Sequence, residues 1–207
     1  HDATRLASAV ANSDGKKFGD WGDYFGWSQK SNNKTYNARK PTEDQIQKQK
    51  LIAAFQLLYL GSPMIFYGDE AGIWGANDPD CRKPMIWADK TYDPETYNPN
   101  QSKHDPDSVV FNNDLFEWYQ KFMTLRQNYK AIQLGDYTTI EKDEAKKLYV
   151  FSRKFNGEEV LVCINRSDKP ISYTNQLLAS KKFKDVFTKK MMKEVVIKPM
   201  DLVVLSN

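Results

Sequence analysis

Ionisable side chains are concentrated directly after an apolar run of the sequence at residues 64–67. Asp69 and Glu70 follow that run at once, and Asp78 and Arg82 come a few residues later. A carboxylate accepts hydrogen bonds, whereas an arginine donates through a fixed fork of N–H groups. Asp78 and Arg82 could therefore hold a ligand that both donates and accepts hydrogen bonds, or could close on each other as a salt bridge within the loop.

Asp69 and Glu70 are neighbours in the sequence and are poorly placed to act together on one bond. Adjacent residues at the end of a strand point to opposite faces of the sheet, so the two carboxylates would diverge. We interpret them as residues at the rim of a sheet that hold loops by hydrogen bonding.

The remaining candidate ligand residues match no metal or cofactor motif. His104 lies in KHDPDS, which lacks the ligand spacing of a calcium or zinc site, and we expect a surface loop residue there. Cys81 and Cys163 are far apart and match neither a metal site nor a disulfide framework, which favours two free thiols. No phosphate-binding glycine loop and no serine nucleophile elbow is present in the sequence.

The acidic loop follows a predicted helix and a predicted strand. Thr42-x-x-Gln45 has the form of a capping box that begins a helix, and Gly61 and Pro63 end it. The four apolar residues Met64–Tyr67 then predict a short strand of a parallel sheet covered on both faces. Functional loops of such α/β folds lie at the carboxyl ends of the strands, so the charged residues after Tyr67 face the rim.

A long loop is predicted over residues 13–41, because no helical or strand period fits this glycine-containing segment. Long loops in compact domains are often functional. The aromatic residues there could form a platform that stacks on sugars or a small core that holds the loop together: Trp21, Tyr24, Phe25, Trp27 and Tyr36.

The pattern of residue types along the sequence changes near residue 134. A helix is predicted from about Asp114 to Tyr129, capped by Asn113 or Asp114. From Gly135 onward, short β-favouring segments alternate with turn residues, which is typical of an all-β sandwich or barrel. The segments are DYTTI, LYVFSRKF, EVLVCINRS, KDVF, EVVIKP and LVVLS. We place a domain boundary at residue 134.

Three motifs resemble the α-amylase family of glycoside hydrolases. GSPMIFYGDEAGIWG and NDPDCRKPMIW resemble its last barrel strand and the following loop, closest to the neopullulanase and cyclomaltodextrinase branch, and HDATR is similar to its His-Asp-x-x-Arg element. The resemblance implies an α/β plus all-β fold: an incomplete C-terminal portion of a TIM (β/α)8 barrel over residues 1–134, followed by a small antiparallel β-sandwich domain over 135–207. Ile73, Trp74 and Lys83 depart from the family pattern, which leaves the substrate preference open.

The resemblance also implies a function for the intact protein. It implies a retaining hydrolase of α-1,4-glucosidic bonds in maltooligosaccharides, pullulan or cyclodextrins, with no cofactor and no metal. Asp2 would be a catalytic carboxylate that stabilises the transition state, and His1, Asp78 and Arg82 would bind the substrate. Arg5 would be structural, and Trp74 could stack on a sugar or pack within the loop.

The two other catalytic carboxylates of the family lie upstream of these motifs, about 5 to 5.5 Å apart in retaining enzymes. We therefore expect the 207 residues alone to be inactive. The alternative is a non-catalytic amylase-like scaffold, or a glucan-binding or assembly protein.

Composition limits the partners of the chain. A formal charge of +3 from 30 basic and 27 acidic residues, without a Lys/Arg block, argues against a nucleic-acid partner. The longest apolar run, residues 51–60, is far shorter than the ~20 residues of a membrane span. A chain that opens with His1 is expected to be a fragment or a processed product, so the compartment stays open between cytoplasmic and exported locations. Exposed barrel edges predict a homodimer, exchange of elements between copies, or loss of order near the first residues.

Overall fold

Six α-helices and nine short strands form the described part of the chain, residues 3–13 and 16–207 of a computed structural model. The elements are divided between two compact units. The first unit comprises the described residues up to Lys50 together with Met64–Gln120, and the second comprises Leu51–Pro63 together with Lys121–Asn207.

The first unit contains short helices and one β-hairpin. Its elements are α1 (Leu6–Ala11), α2 (Trp21–Ser28), the hairpin of β1 (Glu95–Tyr97) and β2 (Lys103–Asp107), and the first parts of α3 (Glu43–Leu58) and α4 (Asn113–Asn128). Strands β1 and β2 are antiparallel. The barrel portion expected for residues 1–134 stays a prediction, since the strand pairs of this unit's described residues include no parallel one.

Helix α3 has the ends that the sequence predicts. The Thr42 backbone N–H donates to Gln45 Oε1 at 2.9 Å, and the Gln45 backbone N–H donates to Thr42 Oγ1 at 3.4 Å, which is the reciprocal pattern of a capping box. The helix ends at Leu58, and Gly61 has a φ of 81°, a conformation that glycine adopts without strain. The predicted limits of this helix are confirmed.

Helix α4 also lies where the sequence predicts it, but its cap is a different residue. The helix spans Asn113–Asn128, and the side chain of Asn112 accepts a hydrogen bond from the Leu115 backbone N–H at 3.0 Å. The predicted cap at Asn113 or Asp114 is therefore wrong by one or two residues. All three residue types can cap, so the side-chain geometry decides which of them does.

The segment at residues 13–41 contains a helix that the sequence reading missed. Helix α2 begins after Asp20, whose side chain accepts a hydrogen bond from the Asp23 backbone N–H at 2.9 Å. Its aromatic rings contact each other and Phe18, with centroids of Phe18 and Trp27 5.1 Å apart and of Trp27 and Tyr36 5.1 Å apart. Tyr36 is buried. These contacts favour the small-core interpretation of the aromatic residues over a sugar platform.

The buried strand predicted at Met64–Tyr67 is not formed. These residues pair with no strand of the described chain, and Met64 is 83% exposed. A parallel strand exists only through hydrogen bonds to neighbouring strands, and none of the described residues supplies them. An apolar run of residues indicates that the segment favours burial. Whether it forms a strand depends on a neighbouring strand with which it can pair.

The second unit is an antiparallel β domain. One sheet has five strands in the order β3-β4-β5-β9-β7, and a second sheet pairs β6 with β8. The strands are β3 (Asp136–Asp143), β4 (Leu148–Phe155), β5 (Glu158–Asn165), β6 (Ile171–Tyr173), β7 (Lys184–Asp185), β8 (Val195–Ile197) and β9 (Asp201–Ser206). The unit also contains α5 (Lys130–Leu134) and α6 (Gln176–Ser180). All six predicted segments contain a strand, and β6 and α6 were not foreseen.

The core of this domain draws residues from both sheets. Val150, Leu161 and Leu205 come from the five-stranded sheet, and Tyr173 and Ile197 come from the two-stranded sheet. All of them are buried. Alternate residues of a strand point to one face, which is why β-branched and aromatic residues spaced two apart cover the core. The expectation of a small antiparallel sandwich is confirmed.

Two arginines bind the carboxyl end of α3 within the second unit. Arg153 on β4 is fully buried and donates to the carbonyl oxygens of Tyr59 and Gly135, both at 2.8 Å. Arg126 on α4 donates to the Leu57 carbonyl at 2.8 Å and to the Gly61 carbonyl at 2.5 Å. The last carbonyls of a helix lack partners within the helix, and cationic side chains satisfy them.

Candidate functional site

Asp78 and Arg82 lie side by side on the loop of the first unit. Arg82 Nε is 2.7 Å from Asp78 Oδ1, and the two residues are one helical turn apart because Asp80–Arg82 forms a turn of 3-10 helix. Their side chains are 31% exposed for Asp78 and 48% for Arg82. The arrangement is the intraloop ion pair that the sequence allowed, and it leaves both groups accessible to a ligand.

Helix α2 fixes the backbone that carries Asp78. The buried Asn77 donates its backbone N–H to the Ser28 carbonyl at 2.9 Å, and its side chain donates to Ser28 Oγ at 3.0 Å. Gln29 Nε2 donates to the Asp78 carbonyl at 3.3 Å. The carboxyl end of α2 therefore determines where the Asp78–Arg82 pair sits.

Asp80 closes the loop from the inside. Its carboxylate accepts a hydrogen bond from the Ala76 backbone N–H at 2.6 Å and lies 3.6 Å from Lys83 Nζ. Lys83 Nζ is also 2.7 Å from Glu95 Oε2 on β1. Burial raises the pKa of Asp80, while the positive charge of Lys83 opposes that effect. This carboxylate is structural, since its oxygens are directed into the loop.

The segment at the start of α1 is attached to the same loop at Gly75. Thr4 Oγ1 and the Arg5 backbone N–H both donate to the Gly75 carbonyl, at 3.0 and 3.1 Å, and the Gly75 N–H donates to Ser8 Oγ at 2.9 Å. A Cβ atom at Gly75 would lie 2.7 Å from the Asp80 carbonyl oxygen. Only glycine allows the loop to fold so closely on itself.

Arg5 is a buried structural residue, as the sequence reading expected. Its side chain is 0% exposed, its guanidinium carbon lies 3.7 Å from the centre of the Phe66 ring, and one of its N–H groups donates to the Tyr67 carbonyl. Arg5 Nη1 is 3.6 Å from Asp69 Oδ1. Burial raises the pKa of Asp69 to about 7, against the opposing effect of the Arg5 charge.

Glu70 diverges from Asp69, in agreement with its interpretation as a loop-holding residue. Glu70 Oε2 accepts a hydrogen bond from the Gly68 backbone N–H at 2.8 Å. Gly68 has a φ of 86°, which favours glycine at this turn.

His104 is not the surface loop residue that the sequence predicted. It belongs to β2, and its side chain is only 6% exposed. Its Nδ1 atom is 2.6 Å from the Asp105 carbonyl oxygen and 3.9 Å from Asp107, which Arg39 binds through two N–H groups. The local sequence contains no signal for this burial, because KHDPDS is polar throughout.

Trp74 packs in the interior beside a cavity of about 340 Å³. The residue is 3% exposed, and the cavity is lined mainly by apolar side chains such as Met85 and Tyr92, with Lys83 at its edge. Of the two roles that the sequence left open for Trp74, burial favours packing within the loop.

The sequence reading found Asp78 and Arg82 but missed the residues that support them. Asn77 next to Asp78 is a turn signal, since its side chain can bond to nearby backbone N–H groups, and Asn77 Oδ1 does accept from the Asp78 N–H at 2.7 Å. Ser28 and Glu95 carry no local signal, because they reach the loop only through the fold. His1 and Asp2, the expected substrate-binding and catalytic residues, lie outside the described residues.

Across residues 3–13 and 16–207, no three His, Cys, Asp or Glu side chains gather in a way that could hold a metal ion. No helix there has the length and apolarity to cross a bilayer. Cys81 and Cys163 are both buried, and neither forms a disulfide, as the sequence predicted.

Comparison with known proteins finds a family match for most of the β domain. Residues 137–199 match the family described as maltogenic amylase, C-terminal domain. The chain is 36% identical over 124 residues to a cyclomaltodextrinase of Geobacillus thermopakistaniensis (strain MAS1), covering 60% of this chain and 18% of that protein. It is 36% identical over 118 residues to neopullulanase 2 of Thermoactinomyces vulgaris, covering 57% of this chain and 17% of the relative. The chain thus spans about a fifth of the length of these relatives.

A solved structure shows the same fold. The α-amylase of Geobacillus thermoleovorans, in complex with acarbose, superposes with a TM-score of 0.61 at 19% identity, over 78% of this chain and 33% of that chain. At this identity the likeness concerns the fold alone. Together with the motifs at residues 59–87, these matches show that the chain is similar to the carboxy-terminal region of enzymes of the α-amylase family.

Proposed function

We propose that the protein containing this chain is a retaining hydrolase of α-1,4-glucosidic bonds in maltooligosaccharides, pullulan or cyclodextrins. The observation that carries the proposal is the half-exposed Asp78–Arg82 pair, held on a loop that α1 and α2 fix from two sides. The names of the relatives, cyclomaltodextrinase and neopullulanase, support the substrate class.

Asp78 and Arg82 are proposed to bind glucose units next to the one that is cleaved. A sugar hydroxyl both donates and accepts, so it can bridge a carboxylate and a guanidinium. The existing ion pair keeps both groups in place before the ligand arrives, which reduces the ordering cost of binding.

Asp2 is proposed as the carboxylate that stabilises the transition state, with His1 binding the same sugar. The support is positional: the chain continues from Asp2 into Thr4 and Arg5, which are bonded to Gly75 three residues before Asp78. In the proposed role, hydrogen bonds from the sugar to Asp2 strengthen as positive charge develops on the ring.

The first test measures turnover of maltoheptaose and β-cyclodextrin by the enzyme that contains these residues. We expect Asp2→Asn to lower kcat by about 10²–10³ while the unfolding transition stays unchanged, since contacts made only in the transition state are worth that much. The 207 residues alone should release no sugar, because the resemblance places the other two carboxylates upstream. Unchanged turnover of Asp2→Asn would favour the non-catalytic glucan-binding alternative.

The second test concerns binding. Arg82→Lys should keep the charge but lose the fork of donors, so that maltotriose affinity falls by about tenfold, equivalent to ~1.4 kcal/mol. Arg166→Lys is the matched control, because Arg166 is an exposed arginine of the β domain. Equal affinities of Arg82→Lys and the unsubstituted chain, measured by calorimetry, would remove Arg82 from the site.

A further inference from the structure

The β domain of the second unit contains a separate polar pocket of about 500 Å³. The pocket lies at the turn between β4 and β5, and its lining includes Phe155 and Gly157 of that turn together with Asp136, Lys154 and Lys181. Its volume falls within the range of ~300–1,000 Å³ that is typical of small-molecule sites.

A buried carboxylate, Glu159, forms part of the pocket lining. Its side chain is only 2% exposed and lies between two ammonium groups. Lys154 Nζ is 3.2 Å from Glu159 Oε1, Lys181 Nζ pairs with Oε2, and Oε1 accepts no hydrogen bond of normal geometry from the described residues. This oxygen is itself buried, so the groups of this ion-pair network that a ligand can reach are the two ammonium groups.

The two lysines can serve as donors at the rim. Their side chains are 49% exposed for Lys154 and 40% for Lys181. Each ammonium carries three N–H donors, and the hydrogen bond from Lys181 to Glu159 Oε2 uses one of them. Asp136 adds an exposed carboxylate to the same lining.

The charges of the pocket exclude strongly charged ligands. The pocket lining contains two lysines and the carboxylates of Asp136, Glu158 and Glu159. The Glu158 carboxylate already accepts a hydrogen bond from the Ala131 backbone N–H. A phosphate would meet the Glu159 charge, and a metal ion would meet two ammonium groups. A neutral molecule with many hydroxyls suits alternating donors and acceptors.

The hairpin turn provides a rigid support for an aromatic residue. Asn156 and Gly157 have φ values of 47° and 89°, the left-handed conformation that two-residue hairpins require. Phe155 precedes this turn and is half-buried. An aromatic ring in a polar pocket offers a surface for the C–H face of a pyranose.

We propose that this pocket is a second binding site, for a neutral α-glucan oligosaccharide, on the β domain. The presence of a carbohydrate site is inferred from the pocket itself, while the choice of an α-glucan rests on the proposed function. Such a site would hold a glucan chain without acting on it, since a binding role needs only the donors and acceptors described.

The test is a titration of the ¹⁵N-labelled 207-residue chain with maltotriose, followed by amide shifts and by calorimetry. We expect shifts at Asn156 and Gly157, and a loss of affinity at this site of about tenfold in Lys181→Ala and in Phe155→Ala. Lys182→Ala, at the adjacent exposed lysine, should leave both readouts unchanged. Asp136→Asn is a further variant that tests the pocket if Phe155→Ala impairs folding.

The outcomes separate the two proposed sites. If the amides of residues 154–159 do not respond to millimolar maltotriose, or respond only to cellotriose, the inference is overturned. If Arg82→Lys removes all binding and Lys181→Ala none, the pocket is likewise excluded and the proposed function is untouched. Maltotriose binding at this pocket together with an inactive parent enzyme would support the inference and refute the proposed function.

Discussion

At the residue scale, Asp69 shows how burial raises the pKa of a carboxyl group. The carboxyl group lies 3.6 Å from Arg5 and is almost fully covered, and burial raises its pKa from 3.8 to about 7. Between these two values the folded protein retains a proton that the unfolded chain has released. The free energy of unfolding therefore gains a contribution at acidic pH that is lost as the pH rises.

We predict that the free energy of unfolding contains a term that declines as the pH is raised from about 4 to about 7. The loss is at most about 4 kcal/mol, from three pKa units at 1.36 kcal/mol each. Asp69→Asn should flatten this part of the pH profile, measured by urea unfolding at several pH values. Asp168→Asn, at an exposed aspartate, should retain the slope. An unchanged slope in Asp69→Asn would show that other groups cause it.

The residue scale also shows which site residues a sequence can provide. Asp78 and Arg82 could be selected because their types and spacing are visible in one loop, and the absence of a disulfide between Cys81 and Cys163 could be predicted from their separation. Ser28 and Glu95 could not be found, since each supports the loop from a distant part of the chain. The candidate ligand-binding residues are therefore close together in the sequence, whereas the residues that hold their loop in place are not.

At the element scale, Arg126 and Arg153 bind the carboxyl end of α3 within the second unit. We predict that Arg153→Met destabilises the chain by about 2–5 kcal/mol, because the buried carbonyls of Leu58 and Gly135 lose the donor that Arg153 provides. Arg166→Met, at an exposed arginine, should change stability by less than ~0.5 kcal/mol. Guanidinium unfolding curves measure both, and equal midpoints for the two variants would contradict the prediction.

Elements were predictable where a local rule defines them. The capping box at Thr42 and the β-favouring residues of β4, β5 and β9, set between turn residues, each specify an element without knowledge of the partner. The run at residues 64–67 failed as a strand because strand pairing depends on partners elsewhere. Helix α2 was missed because its aromatic residues and two glycines obscure the helical period, although Asp20 at its start is a recognisable cap.

At the scale of the whole molecule, large apolar side chains remain uncovered. Met64 is 83% exposed and Trp87 is 56% exposed. The outer strand β3 of the five-stranded sheet also has one edge that pairs with no other strand of the described chain. Exposed apolar groups and free strand edges promote association.

We predict that the 207-residue chain associates in solution. Its weight-average sedimentation coefficient should rise with concentration, and the double variant Met64→Gln with Trp87→Gln should weaken that rise by removing apolar contact area. Val196→Gln, an exposed valine of β8, is the control and should have little effect. A sedimentation coefficient that is independent of concentration would exclude the homodimer expected from the sequence.

The domain division predicted at residue 134 remains a prediction about the intact protein. The sheet of the β domain does begin at Asp136, but the compact unit that contains it also includes Leu51–Pro63 and the chain from Lys121. A change in the pattern of residue types marks where the strands start. Such a change cannot show that the end of an earlier helix packs with those strands, since this contact joins residues some ninety positions apart.

The double arginine contact at the end of α3 also has a consequence for biosynthesis. The Leu58 carbonyl receives its hydrogen bond from Arg153, 95 positions later in the chain. At translation rates of about 5–20 residues per second, the ribosome needs about 5–20 s to add that stretch. Until Arg153 has been synthesised, the carbonyl groups of the last turn of the nascent helix can bond only to water or to a chaperone.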